Sequence, residues 1–286
     1  MLRTMIAGLA LMATTLVANA AETVRFAVTD IEGLEALQQE FGPFRDTLEE
    51  VTGFQVEFFP VNSRTAAVEA LTSDQVDFVL TGPAEYVVMK QLTDAKIVTA
   101  WQRPDYYAQV VVLADGPIKS VQDLKGKTVA FGSVGSTSQH LGPAQTLTDL
   151  GLKYGTDYEA QIIGRNVAVE ALINGDIAAI GMNADHLQSA REAYPEVAFT
   201  VLARGRDLPN DVLVARPDVS EDVFNTMRDA FVNEGKKLMA SVITDGDNRK
   251  YEGGFFITSV DDSSYDYVRS MYRTIGVDSF DAFVGN

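Results

Sequence analysis

Short apolar runs alternate with longer helix-like segments along most of this 286-residue chain. TVRFAV (23–28) precedes LEALQQEFGPFRDTLEEVTG, which stops at Gly53. FQVEFFPV (54–61) precedes RTAAVEALTS, and VDFVLTG (76–82) precedes PAEYVVMKQL. KTVAFG (127–132) precedes a loop of glycines and hydroxyls and then HLGPAQTLTDLG. Strand-length runs separated by helix-length segments are what βαβ units need, so the expected class is α/β with mostly parallel sheets. One stretch echoes another: AVEALTSDQVDFVLTGPAEY (67–86) resembles AVEALINGDIAAIGMNADHL (168–187), which suggests two similar α/β lobes. Two further runs, YYAQVVVLAD (106–115) and LPNDVLVAR (208–216), can connect such lobes. The expected division is a discontinuous first lobe, 21–108 plus 213–286, and an inserted second lobe, 109–212. A ligand would sit between them, where the carboxyl ends of the strands face one cleft.

The first 22 residues, MLRTMIAGLALMATTLVANAAE, combine Arg3, an apolar run and the small-x-small sequence Ala18-Asn19-Ala20. That is the pattern of a secretory signal (residues 1–20) cut after Ala20, and it places the mature chain in the periplasm. The chain has no cysteine, which excludes a lipid anchor there, disulfides, thiolate chemistry and cysteine metal sites. Its net charge of −17 argues against nucleic acid and anionic membrane surfaces as partners. An anionic ligand then has to be held by local N–H and hydroxyl groups, against the field of the chain as a whole.

The loop FGSVGSTSQHLGP (131–143) is the strongest candidate for such a place. Ser136, Thr137 and Ser138 stand where a helix would begin. One hydroxyl is enough to cap a helix, and the first-turn N–H groups that it would cap can instead hold an oxyanion. Both readings of the loop stay open on these residues. No lysine precedes the hydroxyls, so a nucleotide P-loop is excluded. Thr137 is at the centre and Gln139 at the end of the segment where a nucleophile elbow needs serine and glycine. His140 and His186 are the only histidines, and they form no zinc pattern. No cofactor or metal is expected.

TGPAEY, YAQVVVLADGPIKSVQDLKGKTVAFGS, GSTS, AVEALINGDIAAIG and LPNDVLVAR follow one another in an order that resembles the periplasmic phosphonate/phosphite/phosphate-binding proteins of ABC transporters, the PhnD-like family. The resemblance covers nearly all of the chain after residue 20. It implies a two-lobed periplasmic-binding-protein fold of type II, a Venus flytrap with two connecting strands. It also implies a monomeric, non-enzymatic carrier that closes on a phosphorus oxyanion and docks on a membrane permease. Carried over residue by residue, it implies that Ser136, Thr137 and Ser138 contact the oxyanion. It further implies ligand roles for Tyr86 in Gly-Pro-x-x-Tyr, for Asp185 after the second-lobe strand and for Asp211 in the returning connector. In aminoalkylphosphonate binders such acids hold the ligand amine.

Two positions depart from the family pattern. Asn62-Ser63-Arg64 stands where an aromatic residue is common, and Arg165 stands where a histidine is common. An inward-facing Arg64 or Arg165 would favour a compact, more highly charged oxyanion. His140 lies just behind the hydroxyl run and completes the set of candidates. Two other functions share these residues. One is a ligand-binding sensor subunit. The other is a periplasmic hydrolase using Ser136 or Ser138 with His140.

Overall fold

The computed structural model describes residues 21–29, 31, 33–243 and 246–283; the leader expected over residues 1–20 lies outside the described residues. The first alternations fold as β1 (Thr23–Val28), α1 (Leu34–Thr52), β2 (Gln55–Phe58), α2 (Arg64–Thr72), β3 (Phe78–Thr81), α3 (Pro83–Thr93) and β4 (Lys96–Trp101). In α1, Leu37, Phe41, Phe44 and Leu48 recur at the spacing of one helix face and are buried. The helix ends where Gly53 turns left-handed (φ 74°) and its N–H donates to the Glu49 carbonyl at 2.9 Å.

Residues 102–106 carry the chain into β5 (Tyr107–Leu113), followed by β6 (Thr128–Phe131). A π-helical turn (Thr137–Leu141) then runs directly into α4 (Gly142–Asp149). After it come β7 (Glu159–Ile162), α5 (Arg165–Asn174), β8 (Ala179–Asn183), α6 (Ala184–Ala193) and β9 (Phe199–Asp207). Residues 208–210 return the chain to β10 (Asp211–Ala215), α7 (Glu221–Asn233), α8 (Gly235–Val242), β11 (Phe256–Ile257) and α9 (Asp266–Thr274).

The strands form two sheets, ordered β11-β4-β10-β3-β1-β2 and β7-β6-β8-β5-β9. The changes of sheet fall between residues 101 and 107 and between 207 and 211. Five strands of the first sheet repeat the plan of the second. β3 and β8 each lie between a parallel neighbour (β1, β6) and an antiparallel one (β10, β5). The two AVEAL segments occupy equivalent places, in α2 and α5, each leading into that central strand. Both sheets are therefore mixed rather than mostly parallel. The reason is the crossing itself: β5 and β10 arrive from the opposite sheet and run against the strands they join.

Each sheet is covered on both faces. One face of the first buries Trp101 among Phe44, Phe231 and Phe256, with ring centroids 5.1, 6.0 and 5.0 Å away. A polar staple closes the other end of this sheet. The Asp77 carboxylate accepts from Arg25 Nε (3.0 Å) and Nη2 (2.8 Å), from the Arg25 backbone N–H (2.8 Å) and from Arg216 Nη2 (3.0 Å). Helix α9 spans the two units. The Tyr272 hydroxyl donates to the Ala84 carbonyl of α3 (3.0 Å), and Thr274 Oγ1 donates to Gln145 Oε1 of α4 (2.6 Å). The junction between the sheets is consequently framed by α3, α4, α9 and the two connectors.

Candidate functional site

The hydroxyl run lies at that junction. After β6 the chain turns left-handed at Gly135 (φ 74°) and starts the π-helical turn. The N–H groups of His140 and Leu141 both donate to the Ser136 carbonyl at 3.0 Å, which sets the wide first turn. The N–H groups of Thr137, Ser138 and Gln139 precede any intrahelical partner and form the positive end of the segment. The turn is packed tightly from behind. A Cβ on Gly181 would meet Pro143 Cβ at 2.7 Å and the Gln139 carbonyl at 3.0 Å.

Thr137 and Ser138 are both buried. Thr137 Oγ1 accepts from the Ala84 N–H at 3.1 Å. A hydroxyl from the second sheet's unit thus caps α3 of the first, so this hydroxyl joins the two walls of the cleft. The buried Tyr106 phenol lies near it. Burial, acting first, drives the Tyr106 phenol far above its ordinary range even though the nearby Arg103 opposes the shift. Ser138 Oγ accepts from Asn183 Nδ2 at 3.3 Å, while Asn183 Oδ1 caps α6 by accepting from the His186 N–H at 2.8 Å. Ser136 makes no side-chain cap to the turn it precedes.

His140 stands behind the turn and is not on the ligand side of it. It is 2% exposed, and both ring nitrogens are engaged. Nδ1 accepts from the Gly135 N–H at 3.0 Å, so the ring proton is on Nε2, which donates to the Tyr154 hydroxyl at 2.8 Å. Burial depresses its pKa to about 4. The expected ligand role for His140 is therefore corrected to that of a neutral strut holding Gly135. The same two bonds leave it no nitrogen to activate Ser136 or Ser138.

Tyr86 is also turned away from the cleft. It is fully buried, its hydroxyl donates to Asp262 Oδ1 at 2.7 Å, and its ring lies 4.4 Å from that of Tyr265. Neighbouring residues on a helix point about 100° apart, so the preceding residue of TGPAEY faces the site in its place. That residue, Glu85, is 3% exposed. Its carboxylate folds back over the start of α3, where a Cβ on Gly82 would meet it at 2.5 Å. Arg64 pairs with Glu85 and also donates from Nη1 to the Val134 carbonyl at 3.4 Å, so it faces the cleft and reaches the hydroxyl-rich loop. Arg165 is exposed at the start of α5, near enough to His186 to add to the depression of that ring's pKa after burial, to about 4.

The two acids converge on a residue that sequence reasoning passed over. Asp211 is buried, and its Oδ2 accepts from the Tyr251 hydroxyl at 2.7 Å. Asp185 is exposed at the start of α6. Arg103 lies between them, with Nη1 3.7 Å from Asp211 Oδ1 and Nη2 3.8 Å from Asp185 Oδ2. A single arginine in a loop carries no distinguishing sequence signal. Only the crossing of the connectors places it here. Among the described residues, no cluster of three or more histidines and carboxylates could hold a metal ion, and no helix is long and apolar enough to cross a membrane.

Comparison with known proteins agrees with this geometry. Residues 26–250 match the family model described as the periplasmic substrate-binding protein of phosphonate ABC transporters. The chain is 24% identical over 277 residues to the phosphate-import protein PhnD of Mycolicibacterium smegmatis, covering 89% of this chain and 86% of that one. It is 23% identical over 226 residues to the phosphonates-binding periplasmic protein of Escherichia coli K12, covering 75% of this chain and 67% of that one. Its fold matches that of PhnD1 from Prochlorococcus marinus, solved with methylphosphonate, with a TM-score of 0.69 at 17% identity, over 89% of this chain and 98% of that one. These are type II periplasmic binding proteins, whose partners are a small ligand and a membrane permease. The chain belongs to the family of periplasmic substrate-binding proteins of phosphonate ABC transporters.

Proposed function

We propose that this protein captures a phosphorus oxyanion, a phosphonate, phosphite or phosphate, between its two lobes and delivers it to its permease. The lobes are 21–108 plus 213–286 and 109–212, with boundaries that fall two residues past each connector, inside β5 and β10. The mature chain begins after Ala20, works as a monomer in the periplasm and has no nucleic-acid partner. The oxyanion is held by the hydroxyls of Ser136, Thr137 and Ser138 and by the N–H groups of the turn they open. Arg64 faces the same space, and Arg165 closes its rim. The observation that carries this reading is the Thr137 hydroxyl, buried at the junction of the lobes with its oxygen against the first turn of α3. Binding without turnover is supported by the engagement of both His140 nitrogens.

Calorimetry on ligand-stripped protein tests the reading, with phosphate, phosphite, methylphosphonate, 2-aminoethylphosphonate and sulfate as probes. At least one phosphorus oxyanion should bind with a micromolar or lower Kd, and sulfate should bind more weakly. If sulfate wins, or if none of the five binds better than millimolar, the ligand class is wrong. Hydrolysis of a phosphate ester that is lost in Ser138→Ala would replace the carrier reading with the enzymatic one.

A further inference from the structure

Arg103 stands in the connector between β4 and β5, and its backbone N–H donates to Asn210 Oδ1 of the other connector at 2.9 Å. Its side chain is only 11% exposed. The guanidinium carbon lies over the Tyr106 ring, 3.8 Å from the centroid. The same Tyr106 lies near Thr137, so Arg103 is one phenol ring away from the hydroxyl turn. Its closest acids, Asp211 at 3.7 Å and Asp185 at 3.8 Å, lie beyond hydrogen-bond range, and among the described residues the guanidinium makes no side-chain hydrogen bond. Buried polar groups are nearly always bonded, and an arginine fork with unspent donors has the geometry that grips phosphorus oxyanions by two parallel bonds.

Resting on the oxyanion reading above, we infer that Arg103 is a ligand contact and the main determinant of specificity. It takes the edge of the oxyanion opposite the hydroxyl turn, and Asp185 and Asp211 serve as its counter-charges. The two acids are thereby committed to a cation of the protein. An ammonium group on the ligand would have to share them with the guanidinium a few ångströms away and would be repelled by it. The ligand class this selects is a compact phosphorus oxyanion without an amine, namely phosphate, phosphite or a short alkylphosphonate.

The experiment is calorimetry of methylphosphonate, phosphate and 2-aminoethylphosphonate on wild type, Arg103→Gln and Arg103→Lys, with each variant's fold checked by circular dichroism. Wild type should bind methylphosphonate or phosphate at least about tenfold more tightly than 2-aminoethylphosphonate. Arg103→Gln should weaken the best oxyanion by about tenfold or more, the scale of a lost charge-assisted fork, and should narrow its lead over the aminophosphonate. Arg103→Lys should fall between the two, because a point charge replaces the fork. Arg103→Lys keeps the charge and most of the stem, so it decides the matter if Arg103→Gln fails to fold, by a loss of more than about twofold. A wild-type preference for 2-aminoethylphosphonate overturns the inference. So does an Arg103→Gln protein, or an Arg103→Lys protein where the first does not fold, that binds its oxyanion within about twofold of wild type. In those cases the oxyanion reading itself survives. It falls if wild type binds none of the probes, and the inference then falls with it.

Discussion

Acid should loosen the hydroxyl loop through His140, and the size of the effect follows from its surroundings. The buried ring is neutral, with Nδ1 accepting from Gly135 and Nε2–H donating to Tyr154. Protonation would turn the acceptor Nδ1 into a donor facing another donor. The unfolded chain takes up this proton near the ordinary pKa of 6.5, whereas the folded chain resists it down to about 4. Within that window the unfolded state binds more protons, so stability falls as pH falls. Linkage puts the loss at about 2 kcal/mol between about pH 7.5 and pH 5 for a shift of this size. His186 is depressed to a similar value by burial and then by Arg165. Wild type should therefore lose about 4 kcal/mol over the window. His140→Asn offers Oδ1 to the Gly135 N–H and cannot titrate. It should start less stable, because the Tyr154 hydroxyl loses its partner, yet lose only about half as much on acidification. Urea denaturation at matched pH values measures both slopes. Equal slopes in wild type and variant would refute the neutral strut.

Three other perturbations probe the frame of the site. Thr137→Val keeps the shape but leaves the Ala84 N–H without its acceptor, so stability should drop by about 1–3 kcal/mol and oxyanion affinity should drop with it, while Thr137→Ser should retain most of both. An unchanged affinity in calorimetry would confine the hydroxyl to capping α3. Gly181→Ala drives a methyl group into Pro143 and the Gln139 carbonyl and should cost about 1–3 kcal/mol in denaturation, with weaker ligand binding because the turn itself must shift. Asp77→Ala strands Arg25, while Arg216 keeps Asp74 and Asp218, and a loss near 3 kcal/mol is expected, the low end for a buried pair because Arg25 is a third exposed. A loss below about 1 kcal/mol would make the staple ornamental.

The strands most visible in the sequence were those buried on both faces, such as FVLT in β3, because continuous apolar runs stand out between polar turns. FTVLARGRD in β9 carries arginines and an aspartate on its open side and hides its alternation. The sense of β5 and β10 was not legible either, since direction is fixed by which sheet a strand joins and not by its residues. At the site, the hydroxyl turn was legible because glycine and hydroxyl clustering has a local cause. Tyr86 was misplaced by one residue of helical rotation, which left Glu85 facing the cleft. Arg103 was missed because its environment comes from segments about a hundred residues apart in the chain. Arg64 could be judged only once the opposing loop was in place.

The position of β10 bears on how the chain assembles. It fills the gap between β3 and β4, so the first sheet stays split until residues 211–215 arrive. The sheet of the inserted unit is complete at Asp207, and its first and last strands in the chain already pair Tyr107 with Asp207. Once that pair forms, the long excursion between β4 and β10 shrinks to two short connectors, and the Trp101–Asp211 pairing becomes the closing of a small loop. A chain emerging from its amino end can thus complete the later lobe before the earlier one. The inserted lobe acts as a clasp for its host, and a substitution that slows its folding should delay the whole molecule, including strands that it never touches.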